Sequence, residues 1–257
     1  MGRFRGTKEF WLDSLRAEAA AFQAAVGQEG ALDLPVPSCP EWTVTDLVGH
    51  VGGIFEWVRS HVTTGVTSRP EAPATAWQPG VVPEGITAVE WYAGHAAALI
   101  EALEAVDPEQ PAWNWAPQPK RAIFWHRRMA NEVASHRWDA QMATGLAEPV
   151  EARLATDGLA EVLDTWLPSG RQRYPDSGTG MVALSATDVD EVWYVRLRPD
   201  GIALLDTDTL LDDDDRHERA TAIGTVSDLL LAVYGRVPFD VLQLSGDTRL
   251  LAGLRTG

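Results

Sequence analysis

Glu132 and His136 stand four residues apart, with Asp139 three further on, in the run NEVASHRWD that begins at Asn131. On a helix those intervals place all three side chains on one face. Trp125, Met129 and Ala143 share that face, so it points into an apolar interior, where a carboxylate and an imidazole need partners. A divalent metal would satisfy both at once. A hydrogen-bonded pair or an exposed pair has the same spacing, and spacing alone does not choose among the three. A metal needs a third donor, and His50 supplies one from another apolar stripe, among Leu47, Ile54 and Trp57. Two histidines and a glutamate make the open three-ligand set of catalytic zinc, with a position left for water, thiolate or substrate.

Helices must carry these residues, and the first half of the chain reads as four of them. Trp11, Leu15, Phe22 and Val26 recur at helical spacing before Gly27. Thr43 and Asp46 form a capping-box-like pair ahead of the stripe that holds His50, and Thr87 with Glu90 does the same for a helix running to about Val106. The fourth and longest helix spans about 122–144, with Gly145 placed to end it in a left-handed conformation. Four helices of this length make a bundle, and carboxylate–histidine sites are built in bundle cores from facing helices. The stretch from His61 to Gly85, rich in Thr, Pro and Gly and containing Trp77, reads as a cover loop.

After Pro149 the pattern changes to α+β. A helix built on Leu159, Val162, Leu163 and Trp166 leads to strand-like runs at 181–186 and 191–198. Pro199-Asp200-Gly201 is a turn into a strand at 202–206; a further strand is expected near 220–223, then a helix capped by Thr225 and Asp228, a strand at 241–244 and a last helix through Leu250 and Leu254. The fold class is therefore multidomain, α followed by α+β, divided as 1–150 and 151–257.

Length and composition agree with this organisation. A chain of 257 residues exceeds the usual single domain, and a hydrophobic share of 45% with 23% charged residues is that of a globular protein. No apolar run approaches the ~20 residues of a membrane span, and the first residues lack the apolar segment of a secretion signal, so a cytoplasmic location is expected. A net charge of −16, spread over both halves, repels phosphate backbones and anionic membranes and argues against nucleic acid as a partner. The single cysteine, Cys39, allows neither an internal disulfide nor a thiolate cluster, so any metal must be held by histidine and carboxylate.

The runs CPEWTVTDLVGH, Cys39 to His50, and NEVASHRWDAQMATG, Asn131 to Gly145, resemble the two signature segments of the mycothiol-dependent maleylpyruvate isomerase family of actinobacteria. GTVSDLLLAVYGR, Gly224 to Arg236, and LSGDTRLLAGL, Leu244 to Leu254, are similar to the C-terminal domain of that family, so the resemblance covers nearly the whole chain. It implies a DinB-like four-helix bundle followed by a small α+β domain of sterol-carrier-like character. It also implies a divalent metal, zinc first among candidates, on His50, Glu132 and His136, with mycothiol as thiol cofactor and Arg236 as an active-site arginine. One departure precedes the glutamate, where related sequences often have histidine and this chain has Asn131, off the metal face.

The function implied is isomerisation or S-transfer on a small electrophile, maleylpyruvate-like in the prototype. The thiolate adds to an activated double bond, allows rotation and leaves; a transferase stops after addition or substitution. Arg236 would bind a carboxylate of substrate or cofactor. A metal-dependent hydrolase with an activated water and a non-catalytic metal- or ligand-binding stress protein are the rival readings; substrate and oligomeric state are not written in the sequence.

Other polar residues have plainer readings. Asp139 accepts from a ligand imidazole or from Arg137, or is a surface aspartate. Cys39 reads as a small buried thiol just before a helix, and His95, on a stripe with Tyr92 and Leu99, as a core histidine; His61, His126 and His217 lack partners at ligand spacing. Trp57, Trp125 and Trp138 pack the bundle, the first two being placed to wall a pocket as well. Asp206, Asp208 and Asp212–Asp215 fail the EF-hand pattern at Leu210 and Leu211 and read as a solvated acidic loop. Lys120, Arg121, Arg127, Arg128 and Arg137 read as surface charge on the fourth helix, or as an attraction for an acidic substrate.

Overall fold

Three threonines start the first three helices. Thr7 accepts from the Phe10 N–H and opens α1 (Lys8–Val26). Thr43 and Asp46 form a full capping box, with the Thr43 hydroxyl accepting from the Asp46 N–H at 3.3 Å and the Asp46 carboxylate accepting from the Thr43 N–H at 2.8 Å; it opens α2 (Val44–Val62). Thr87 and Glu90 repeat the arrangement for α3 (Ala88–Ala105). The fourth helix, α4 (Ile123–Thr144), has no side-chain cap at its start and ends at Gly145, whose φ of 73° is the left-handed conformation glycine adopts without steric cost.

The computed structural model describes residues 6–70, 82–171, 173, 178–199, 201–205 and 219–256. They divide into two compact units, 6–150 and 151–256. Trp77, Asp200, His217 and the acidic stretch from Asp206 to Asp215 lie outside the described residues, as does 71–81 of the expected cover loop.

In the first unit α1 packs along α4 and α2 along α3, while α1 also meets α3 and α2 meets α4. Leu99 and Leu103 are fully buried, as are Phe22 and Phe55, which flank Tyr92 with ring centroids 4.6 and 5.7 Å from its own. Gly52 lets α2 and α3 approach closely, since a Cβ there would stand 2.2 Å from the Trp91 ring.

The helix that differs from the expectation is α4. It is buried nearly all round, yet much of what it buries is polar: His126, Arg128, Asn131, Ser135, His136, Arg137, Asp139 and Gln141. A helix surrounded by its neighbours must satisfy such groups internally. Arg128 and Arg137 are therefore core residues and not the surface charges their clustering suggested. Arg137 pairs with buried Glu18 of α1, its Nε donating to Oε2 at 2.6 Å. The ring nitrogens of His126 lie 2.8 and 2.9 Å from the carbonyls of Leu103 and Ala122.

Before α2 the chain makes a hairpin of β1 (Pro35–Val36) and β2 (Cys39–Thr43), with Val36 opposite Cys39. Pro35, Pro37 and Pro40 favour extended backbone there over helix. Cys39 is thus a strand residue and half-buried, not the buried thiol expected. His95 is likewise half-buried and not a core histidine, its ring meeting that of Trp91 edge-on with centroids 4.4 Å apart.

The second unit opens with α5 (Ala152–Glu161), started by the Glu151 carboxylate accepting from the Leu154 N–H, and extended by a π turn over Val162–Trp166. Five strands follow among the described residues: β3 (Gly180–Ala186), β4 (Val192–Arg198), β5 (Gly201–Leu205), β6 (Arg219–Gly224) and β7 (Gln243–Gly246). They form one sheet in the order β5-β4-β3-β6-β7, with β3 and β6 parallel and the other pairs antiparallel. The helix α6 (Val226–Val233), capped by Thr225, packs on α5 and on β3 and β6. The last strand sits two residues later than expected because Phe239–Val241 form a 3-10 turn after Pro238, and the last helix, Thr248–Leu254, is 3-10. Among the described residues no helix is long and apolar enough to cross a membrane.

Candidate metal centre

The sequence put His50 on one helix and Glu132 with His136 on another, and the fold brings them together. Their donor atoms all lie within 4.8 Å of one another. Glu132 Oε1 is the common point, 3.3 Å from His136 Nε2 and 3.8 Å from His50 Nε2. The two imidazole rings meet edge to face, with centroids 5.1 Å apart at 84°. Seven residues along each helix, Trp57 of α2 meets Trp125 of α4 at 5.5 Å, so the two helices run antiparallel and share one seam. A tetrahedral zinc site with bonds of about 2.1 Å separates its ligand atoms by roughly 3.4 Å, close to the two shorter separations here. The donor set fits a divalent cation.

Outer partners fix each group. Asp139, fully buried one turn beyond His136, faces His136 Nδ1 at 2.9 Å through Oδ2 and accepts from the Ser38 hydroxyl through Oδ1 at 2.5 Å. With Nδ1–H donated to the carboxylate, the lone pair of Nε2 points toward Glu132 and His50. Of the two partners the sequence offered Asp139, the imidazole is the one found here, while Arg137 engages Glu18, Gln141 and the Glu148 carbonyl. Glu132 Oε2 accepts from Arg128 Nη2 at 2.6 Å. Trp42, in β2, packs its ring 4.8 Å from that of His50.

Burial works against charge on both Glu132 and His136, and neighbours overcome it in each. Burial raises the Glu132 carboxyl, but the Arg128 guanidinium, the hydrogen bond to His136 and the charges of His136 and His50 hold it well below the usual carboxylate range. Burial lowers His136, yet its hydrogen bonds to Asp139 and Glu132 and the charges of those two carboxylates raise it to about 8. Without a cation, His136 thus carries a proton between two carboxylates, and a cation entering the cluster replaces that proton. The side chains of His50 and Glu132 are each 15% exposed, so the cluster stands at the edge of the core and not sealed within it.

Three contributors were missed in the sequence. Ser38 and Trp42 lie on a hairpin that carries no period, and Arg128 was grouped with surface cations although it stands four residues before Glu132 on the same face. Trp57 and Trp125 are packed against each other, His61 and Trp113, as a core cluster. Arg236 follows α6 in the second unit; its Nη1 donates to the Tyr234 carbonyl at 3.0 Å, and its guanidinium carbon is 5.8 Å from the Tyr234 ring centroid.

The chain is thus a two-unit protein, helical then mixed helix and sheet, whose helical unit holds a convergent His–Glu–His set. The family model for the mycothiol maleylpyruvate isomerase N-terminal domain matches residues 12–141, and the chain belongs to that family. Among solved structures, the mycothiol-dependent maleylpyruvate isomerase is similar over 93% of each chain with a TM-score of 0.62 at 14% identity. A histidine-to-alanine variant of it is similar over the same shares with a TM-score of 0.60 at 14% identity. At that identity the likeness concerns the fold. None of the curated proteins matches this chain.

Proposed function

We propose that the protein is a metal- and mycothiol-dependent enzyme, an isomerase or S-transferase acting on a small electrophile, with a divalent cation, zinc first among candidates, held by His50, Glu132 and His136. The observation that carries this reading is the convergence of two histidine nitrogens, one from each of two helices, on one carboxylate oxygen, Glu132 Oε1. Membership of the isomerase family supports the choice of thiol. We read the four helices as the DinB-like bundle of that family and the second unit as its sterol-carrier-like domain.

Bound there, the cation supplies positive charge that keeps a thiol sulfur deprotonated at neutral pH. The chain's part is to hold geometry. Asp139 fixes the His136 ring, Arg128 fixes Glu132, and Trp42 packs against His50. The thiolate adds to one carbon of an activated double bond, and the electron pair moves to the conjugated carbonyl. Rotation about the new single bond follows; expulsion of the sulfur then re-forms the double bond in the other geometry and returns the thiolate. In a transferase the carbanion is protonated and the sulfur stays. Arg236 is assigned the carboxylate of substrate or cofactor, a task that suits a planar fork of donors.

Turnover of maleylpyruvate by the zinc-loaded protein is expected only when mycothiol is added. Hydrolysis of amides at the same rate without thiol would move the protein to the hydrolases, and metal-loaded protein inert toward electrophiles and amides alike would leave a binding function. Arg236→Ala is expected to raise KM by about tenfold, the loss of one charge-assisted contact, with metal content unchanged. Loss of metal in that variant would show the arginine to be structural.

A further inference from the structure

Glu132 divides its two oxygens between different tasks. Oε1 faces both histidines, at 3.3 Å from His136 Nε2 and 3.8 Å from His50 Nε2, whereas Oε2 is taken by Arg128 Nη2 at 2.6 Å. Arg128, Glu132 and His136 follow one another at intervals of four, so one row of α4 reads as clamp, ligand and ligand. The clamp is a core residue, with a side chain only 4% exposed.

We propose that Arg128 is a positioning residue that confines Glu132 to ligation through one oxygen and so keeps a coordination position free for an incoming thiol; this rests on the metal reading of the cluster. A carboxylate can bind a cation through one oxygen or both, and binding through both fills two positions. A site with two imidazoles and a chelating carboxylate has less room for a fourth donor of the size of sulfur. To chelate here, Glu132 would have to give up a short charge-assisted bond and leave a buried guanidinium without it, which a low-dielectric surrounding makes costly. Arginine suits the task because its planar fork holds a fixed direction, whereas lysine offers a point charge on a flexible stem. A role limited to offsetting the buried carboxylate charge would affect folding but not the coordination of the cation.

The test uses full-length protein loaded with cobalt(II), whose visible absorption is intense in four-coordinate sites and weak in six-coordinate ones, and titrated with mercaptoethanol. In the wild type we expect the intense spectrum and a new sulfur-to-cobalt band on adding thiol. Arg128→Met is expected to bind cobalt with the weak spectrum of higher coordination and to lose about tenfold or more in thiol affinity, the range set by outer partners of metal ligands. Arg128→Lys should recover part of both. Spectra and thiol affinity in Arg128→Met equal to those of the wild type overturn the proposal. X-ray absorption on the zinc-loaded wild type decides the matter even if the variants do not fold, since two carboxylate oxygens at equal distance from the metal would refute it. A wild type that binds neither cobalt nor zinc instead removes the metal reading, leaving Arg128 and Glu132 as a buried ion pair.

Discussion

Replacing His136 by alanine is expected to abolish stoichiometric metal binding while the helices remain folded. Zinc held by four protein ligands is worth roughly 10–16 kcal/mol, or about 3 kcal/mol per ligand, so losing one ligand weakens binding by a hundredfold or more. Here the loss is compounded, because His136 Nε2 is the donor nearest Glu132 Oε1, at 3.3 Å, and the remaining pair is at 3.8 Å. Asp139→Asn is the graded companion. It leaves the imidazole in place but removes the carboxylate that fixes its Nδ1 proton, and a loss of about 10–100-fold in metal affinity is expected. Metal analysis after dialysis, with helical content followed by circular dichroism, reads both. Equal metal in His136→Ala and wild type would place the cation elsewhere and end the catalytic reading of this cluster.

The order of these effects follows from how the cluster is built. Each ligand is held from outside: His136 by Asp139, which Ser38 holds in turn, Glu132 by Arg128, and His50 by packing against Trp42. Two of those supports come from the β1–β2 hairpin and two from α4 itself, so the donors are set before any cation arrives. Such preorganisation is what distinguishes a site from a chance meeting of polar side chains. It also explains why α4 carries so much polarity through a core: each buried charge on the face toward α2 is paired with another that orients it.

The helices and their ends were legible because their signals are local. Thr43 with Asp46, Thr87 with Glu90 and Gly145 act over one turn, and the structure uses all of them at the expected places. His50, Glu132 and His136 were legible as a set because a helix face is fixed by spacing, although that they meet depends on how α2 lies against α4. Arg128 and Arg137 were misread for the opposite reason. Cations beside one apolar face look exposed, and only the packing of α4 against α1, α2 and the β1–β2 hairpin buries the other faces as well. Ser38 and Trp42 carried no signal, since a two-residue strand pairing across Pro37 and Ser38 has no period to detect. In the second unit the strand at 241–244 slipped because Pro238 starts a 3-10 turn that uses the first apolar residues.

Arg137 gives the largest expected effect on stability. Its Nε donates to Glu18 Oε2 at 2.6 Å, and its Nη1 donates to Gln141 Oε1 at 2.7 Å and to the Glu148 carbonyl at 2.6 Å, while Nη2 reaches the Pro149 carbonyl at 3.2 Å. One guanidinium thus ties α4 to α1 and to the last residues of the first unit. Arg137→Met keeps the length of the side chain and removes every donor, leaving Glu18, a residue only 8% exposed, without this cation. Breaking a buried pair from one side costs about 3–5 kcal/mol, which for a unit of this size lowers the melting temperature by roughly 10 °C or more. The double variant Glu18→Leu with Arg137→Met should regain much of the loss, because neither charge then remains buried. Arg137 faces away from His136 on the helix, so below the transition Arg137→Met should hold as much zinc as the wild type. A drop of less than about 1 kcal/mol, the worth of an exposed pair, would show that Glu18 and Arg137 reach water after all, and a loss of zinc at low temperature would join them to the metal centre.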